Sequence, residues 1–166
     1  MSALRLIAGE TAFKQIETQG LQQSMFTQLL AASGGPKWLG IAGLDKYIFG
    51  EFFKDREDPL YMLGASSGAW RLACLGQQDP LAAYSRFEHF YINQRYDKVP
   101  TREQVTSQVQ AVVDGILGEQ GGADIIANPL FRHHIIACRA RHVNQSKSKV
   151  GLAIGLALAA ASNSVN

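Results

Sequence analysis

Cysteine is scarce in this chain of 166 residues, which has only Cys74 and Cys138. Two thiols cannot build the bridged framework of a small secreted domain. Both stand among apolar neighbours, so both are expected to be reduced and buried. Net charge is equally sparse. Its 16 basic and 14 acidic residues leave a formal +2, too little to draw the chain to a polyanion, and no nucleic-acid readout is expected. Long hydrophobic runs are missing too. The longest, Val150–Ala161, is about half of the roughly 20 residues that span a bilayer. The opening MSALRLIAGETAFKQIE turns charged too early for the apolar core of a secretory signal. The expectation is a soluble, cytoplasmic protein whose contact with membranes, where it occurs, is peripheral. No phosphate-cradling Gly-x-x-x-x-Gly-Lys-Ser/Thr loop is present, and no internal repeat is seen.

Apolar residues make up 46% of the chain and charged ones 18%, enough for a sizeable core. The length favours one domain over residues 1–166. The stretch up to Gln23 is polar and mixed. Met25–Ala32 reads as a buried strand, broken by Ser33-Gly34-Gly35-Pro36. Proline suits the first turn of a helix, where its missing N–H has no partner. The helix it opens is expected to run to about Lys54, with Ile41, Leu44, Ile48 and Phe52 on one face and Trp38 one step around.

Asp55–Pro59 reads as a charged turn, Leu60–Leu63 as a short buried strand and Ser67–Leu75 as a helix. Asp79-Pro80 starts another helix, with aspartate as cap, carrying Phe87, Phe90 and Tyr91. Thr101-Arg102-Glu103-Gln104 fits a capping box and opens a third, ending near Gly118. Phe131–His142 reads as a strand. Val150–Ser162 reads as a helix after the basic turn Lys147-Ser148-Lys149. The order strand, glycine loop, helix, strand, small-residue turn, helix predicts an α/β fold with a mainly parallel sheet flanked by helices.

Two loops carry the chemistry. Gly64-Ala65-Ser66-Ser67-Gly68 follows the apolar Leu60–Leu63 and precedes a helix. A serine at the apex of such a turn exposes its hydroxyl, and glycines on either side let strand and helix approach. The helix N-terminus behind Ser66 favours a developing anion. The competing reading is a tight turn whose serines simply cap the helix. The second loop, Ser33–Lys37, also leaves the end of a strand. In a parallel sheet the carboxyl ends of neighbouring strands converge on one crevice. Amides of Gly34 and Gly35 could therefore face an oxyanion beside Ser66.

Together, Ala32-Ser33-Gly34-Gly35-Pro36-Lys37-Trp38-Leu39-Gly40 and Leu63-Gly64-Ala65-Ser66-Ser67-Gly68-Ala69 resemble the start of a patatin-like phospholipase domain. Ala127-Asn128-Pro129-Leu130-Phe131-Arg132 is similar to bacterial members more loosely. The resemblance implies a patatin-like fold and lipid acyl hydrolysis without metal or cofactor, on a lipid or acyl-ester substrate. It implies Ser66 as nucleophile on an elbow framed by Gly64 and Gly68, and Gly34 and Gly35 as oxyanion donors. Lys37 would support the loop or attract an anionic head group. Ser33 stands where a third glycine is often found. The family's Ser–Asp dyad takes its acid from an Asp-Gly-Gly or Asp-Gly-Ala motif well after the elbow. The only Asp-Gly here, Asp114-Gly115, falls in the helical pattern Val105, Val109, Val112, Val113, Ile116, Leu117. The dyad acid is therefore expected beyond Asn166, in a domain cut short at its C-terminus.

A serine–histidine triad is the enzymatic rival and would need His89, His133, His134 or His142 beside Ser66. A non-catalytic lipid- or protein-binding module of the same fold is the other alternative. On a strand, His134, Cys138 and His142 would be too widely spaced to hold one zinc. The aromatics of Trp38–Phe53 and Tyr84–Tyr91 are expected to pack a core rather than line an acyl pocket. Arg132, Arg139, Arg141, Lys147 and Lys149 are expected to be a solvated basic face.

Overall fold

A computed structural model describes residues 5–96, 99–146 and 148–164. Lys147, in the expected basic turn, lies outside them. The chain divides into two compact units, one up to Ile136 and one from Ala137 onward.

The first unit is built on a three-stranded sheet in the order β1 (Gln28–Ala31), β2 (Leu60–Ala65) and β3 (Phe131–Ile136). All pairs are parallel. Ala31 is in register with Gly64, and Ala65 with Ile136. The α/β class and parallel sheet expected from the sequence are thus present. Crossovers in a sequential strand order are right-handed, which puts their helices on one face. On that face Leu60, Met62 and Gly64 of β2 are buried. Helix α3 (Ser67–Leu75) packs against them, with α4 (Pro80–Ile92) and α5 (Arg102–Leu117) beyond. The opposite face is exposed at Leu30 (69%), Tyr61 (53%), Leu63 (40%) and Ile136 (56%).

Several elements end elsewhere than the sequence suggests, each for a local reason. The first strand is shorter than Met25–Ala32. Gln23–Met25 forms a 3-10 turn, and the ladder opens only where Tyr61 N–H meets the Thr27 carbonyl at 3.0 Å. The last strand stops at Ile136, well before His142. Its partner β2 ends at Ala65 and turns into a helix, so nothing remains to pair with. Beyond that point Cys138 is exposed, which corrects the expectation of a buried thiol; Cys74 is buried, and burial pushes its pKa up.

The expected helix to Lys54 is three segments: a 3-10 turn over Gly35–Ile41, then α2 (Ala42–Tyr47), then a π turn over Ile48–Phe52. Its buried stripe is Trp38, Asp45, Phe49 and Phe53. The expected stripe, with Ile41 42% exposed, lies one position around the helix. The polar Asp45 interrupts the true stripe and disguises it as a solvent face.

Two helices have no counterpart in the sequence reading. Helix α1 (Glu10–Gln19) carries Ala12, Phe13 and Ile16 on one side but buries no residue. Helix α6 (Gly121–Ala127) begins at glycines that look like a breaker, and a Cβ on Gly121 would meet the amide end of the Gln77 side chain. The caps are as expected. Asp79 accepts from Ala82 N–H, and Thr101 and Gln104 exchange both bonds of the capping box. The charged turn contains a buried arginine. Arg56 donates to the carbonyls of Gln23, Phe26 and Asp58 at 2.6 Å each, which ties the approach to β1 to the approach to β2. Most of these aromatics form core, as expected: Trp38 stacks on Phe87 with centroids 4.2 Å apart, and Tyr84, Phe49 and Trp70 join edge-on, whereas Tyr47 and Phe90 are exposed.

The second unit holds a 3-10 turn (His142–Gln145) and α7 (Lys149–Asn163), capped by Ser148, whose hydroxyl accepts from Gly151 N–H.

Candidate active site at the carboxyl edge of the sheet

Ser66 lies between the end of β2 and the first residue of α3, with φ 51° and ψ −131°. Only one other described non-glycine residue, His142, has positive φ. A residue with a Cβ is strained there, and the side chain stands in solvent. The two glycines around it are required by packing. A Cβ on Gly64 would lie 2.5 Å from the Ala69 Cα, so the returning helix crosses directly over the strand. A Cβ on Gly68 would overlap the Ala31 carbonyl. The elbow helix therefore rests on the last residues of β1, from which the second loop departs.

That loop holds Gly35 at φ +52°, a conformation suited to glycine, and the Gly34 carbonyl accepts from Lys37 N–H at 3.2 Å. Among the described residues, no hydrogen bond from the Gly34 or Gly35 amide is found. Lys37 is exposed, and Trp38 after it is buried in the aromatic cluster, which anchors the loop. The fold thus brings Ser66 and the Gly34–Gly35 backbone to one edge of the sheet. Ser67, the first helical residue, is buried with no partner for its hydroxyl. Its N–H is one of the first-turn amides that no helix satisfies internally.

The capping alternative does not describe this turn. Ser66 makes no side-chain cap bond, whereas Asp79, Thr101 and Ser148 all cap from extended backbone.

Asp114 is on the exposed side of α5, where its carboxylate accepts from Gln110 at 2.8 Å. The neighbouring Gly115 is where the Phe90 ring lies, since a Cβ there would overlap it. Helix packing accounts for this Asp-Gly pair.

Among the described residues of the first unit, no histidine is hydrogen-bonded to Ser66. His133 is in register with Met62, below the elbow, and its Nε2 is buried without a partner. Burial first, and then the neighbouring His134, hold its pKa below the ordinary value, so it is neutral near pH 7. His134 faces the Arg132 carbonyl, and His89 lies against Asn93. Of the expected basic face, Arg132 belongs to the first unit and Arg139, Arg141 and Lys149 to the second. No protein-family model, curated protein or solved structure matches this chain.

One constellation is absent from the sequence reading. Asp45 of α2 is 3% exposed. Arg71 of α3 grips it with two bonds of 2.6 Å, and the Tyr84 hydroxyl of α4 donates a third of 2.6 Å. Burial, then the bond to Asp45, push the Tyr84 pKa up, so its proton stays in that bond. Burial works against the Arg71 charge, but the bond to Asp45 and its charge outweigh it and raise the pKa. A helical phase that put Asp45 on the Trp38–Phe49 stripe is the signal that would have found it.

Proposed function

We propose that this chain carries the nucleophile and oxyanion loop of a serine acyl hydrolase of the patatin-like kind, acting on lipid esters. The observation that carries the reading is the Ser66 backbone. A serine with an exposed hydroxyl is held in a strained turn at a helix N-terminus, between two glycines that admit no Cβ. The Ser66 oxygen attacks the ester carbonyl and passes its proton to a base. The resulting oxyanion is met by amides near Gly34 and Gly35. The tetrahedral intermediate collapses, the C–O bond to the alcohol breaks, and the alcohol leaves with a proton. Water then attacks the acyl-enzyme and releases the acid.

In this reading the base is the aspartate of a Ser–Asp dyad. Asp114, exposed on α5 and bonded to Gln110, is not assigned that part. Lys37, exposed beside the loop, attracts an anionic head group. Among the described residues no helix is long and apolar enough to cross a membrane, and the proposed contact with lipid is peripheral, from the cytoplasm.

Labelling with a fluorophosphonate probe tests the assignment. Intact protein should label, and Ser66→Ala should not. Equal labelling of the two would remove Ser66 from the mechanism. One observation favours a second reading, a non-catalytic lipid-binding module: among the described residues no hydrogen bond joins the Ser66 hydroxyl to a base. Vesicle binding with neither labelling nor ester turnover would select it.

A further inference from the structure

The Asp45–Arg71–Tyr84 cluster joins three helices, and two of them lead directly from the two loops of the site. Arg71 stands five residues after Ser66 on the elbow helix. Asp45 stands ten residues after Gly35, on the helical run that the glycine loop opens. Tyr84 closes the third side and packs edge-on to Trp38, the buried anchor of that loop. Lys46, next to Asp45, bonds Glu88 of α4 at 2.6 Å and repeats the link toward the surface.

A full ionic group in an aromatic core is a poor way to gain stability. Well-packed apolar residues of similar volume often serve as well or better. What an ion pair does supply is direction. A two-pronged guanidinium–carboxylate contact fixes distance and angle together, which aliphatic packing does not.

We infer that Asp45, Arg71 and Tyr84 are positioning residues that hold the Gly34–Gly35 loop at a set distance and angle from Ser66. Their purpose rests on the hydrolase reading above, but the mechanical link does not. With the cluster replaced by apolar residues, the core stays filled while the glycine loop gains freedom relative to the elbow.

The test is the triple variant Asp45→Leu, Arg71→Met, Tyr84→Phe in the full chain. It is read by thermal melting, by hydrogen exchange in peptides covering residues 31–38 and 64–72, and by the rate of fluorophosphonate labelling. The expected result is a cooperative melt close to wild type. Exchange in 31–38 should rise by about tenfold while distant peptides do not change. Labelling should slow by roughly tenfold or more, the sensitivity of positioned groups to small displacements. Unchanged exchange and labelling in a folded variant would overturn the inference, as would a rise in exchange spread evenly over the chain.

Where the triple variant does not fold, Arg71→Lys supplies the decision, because it keeps the charge and loses the two-pronged grip. It should loosen 31–38 selectively, and loss of exchange protection everywhere or nowhere refutes the link. A wild-type chain that fails to label would sink the hydrolase reading alone, since the exchange results still decide whether the brace exists.

Discussion

Ser66→Gly is expected to stabilise this protein while removing its candidate nucleophile. The φ and ψ of Ser66, 51° and −131°, mirror the polyproline II basin, −75° and +145°. Glycine has no chirality at Cα and occupies that mirror region as readily as its counterpart. A side chain there costs about 1–3 kcal/mol. Glycine returns about 0.5–1 kcal/mol of the relief through its freer unfolded chain. The Ser66 hydroxyl makes no cap bond, so nothing is lost with it.

The net is a gain of about 0–2.5 kcal/mol, or up to roughly 8 °C in Tm for a cooperative unit of this size. Thr101→Gly supplies the control. Thr101 caps from ordinary extended backbone, and glycine there should lower stability by a few tenths of a kcal/mol, near ~0.3. The assay is urea and thermal unfolding of wild type and both variants, with Ser66→Ala as a hydroxyl-free reference that keeps the Cβ. A Ser66→Gly protein less stable than wild type would refute the reasoning, because it would mean that the turn is unstrained.

Three further outcomes follow from the same contacts. Gly68→Ala would drive a methyl into the Ala31 carbonyl, which cannot yield without leaving β2; urea unfolding should show a loss of about 2–3 kcal/mol, and a loss near zero would show that the helix can lift. Asp45→Asn leaves the Arg71 guanidinium in the core without its counter-charge, and the expected loss by the same assay is about 3 kcal/mol, against a much smaller change in the apolar triple variant. For His133, a folded pKa held below the ordinary 6.5 means that the unfolded chain takes up the proton first. Its contribution is therefore present above that pH and lost as pH falls through the lower folded value. Urea midpoints measured on both sides of that window should fall with acidification in wild type and fall less in His133→Gln; parallel curves would count against it.

The parts of the fold legible in the sequence are those whose cause is local. The Asp79 and Thr101 caps need only the residues within one helical turn of them, and the structure places them where spacing put them. The elbow helix Ser67–Leu75 has the expected bounds, because a glycine turn starts it and Gly76 ends it. What escaped depends on partners distant in the chain. The end of β3 is fixed by where β2 turns away. The buried stripe after the glycine loop is fixed by an arginine 26 residues later that makes Asp45 an interior residue. Periodicity analysis counts a carboxylate as surface, so it rotated that helical run by one position.

Of the short motif Gly64–Gly68, the letters are weak evidence and the sterics are stronger. Three glycines of the two loops answer to three different constraints. Gly64 admits the Ala69 backbone, Gly68 admits the end of β1, and Gly35 takes a left-handed φ. Gly34 answers to none of these, since the nearest atom to a Cβ there is 3.9 Å away. A loop whose only task was to join β2 to α3 could have used an extended cap such as those the chain builds at Asp79 and Thr101. It would then have needed neither a strained serine nor a crossing this close. The elbow places that strain in the backbone of one exposed serine, and rests the helix behind it on the strand from which the second loop departs. Strain of this kind persists only where surrounding structure over-determines it. In this chain the surroundings are the two glycine crossings and, farther down the same helix, the Arg71 grip on Asp45.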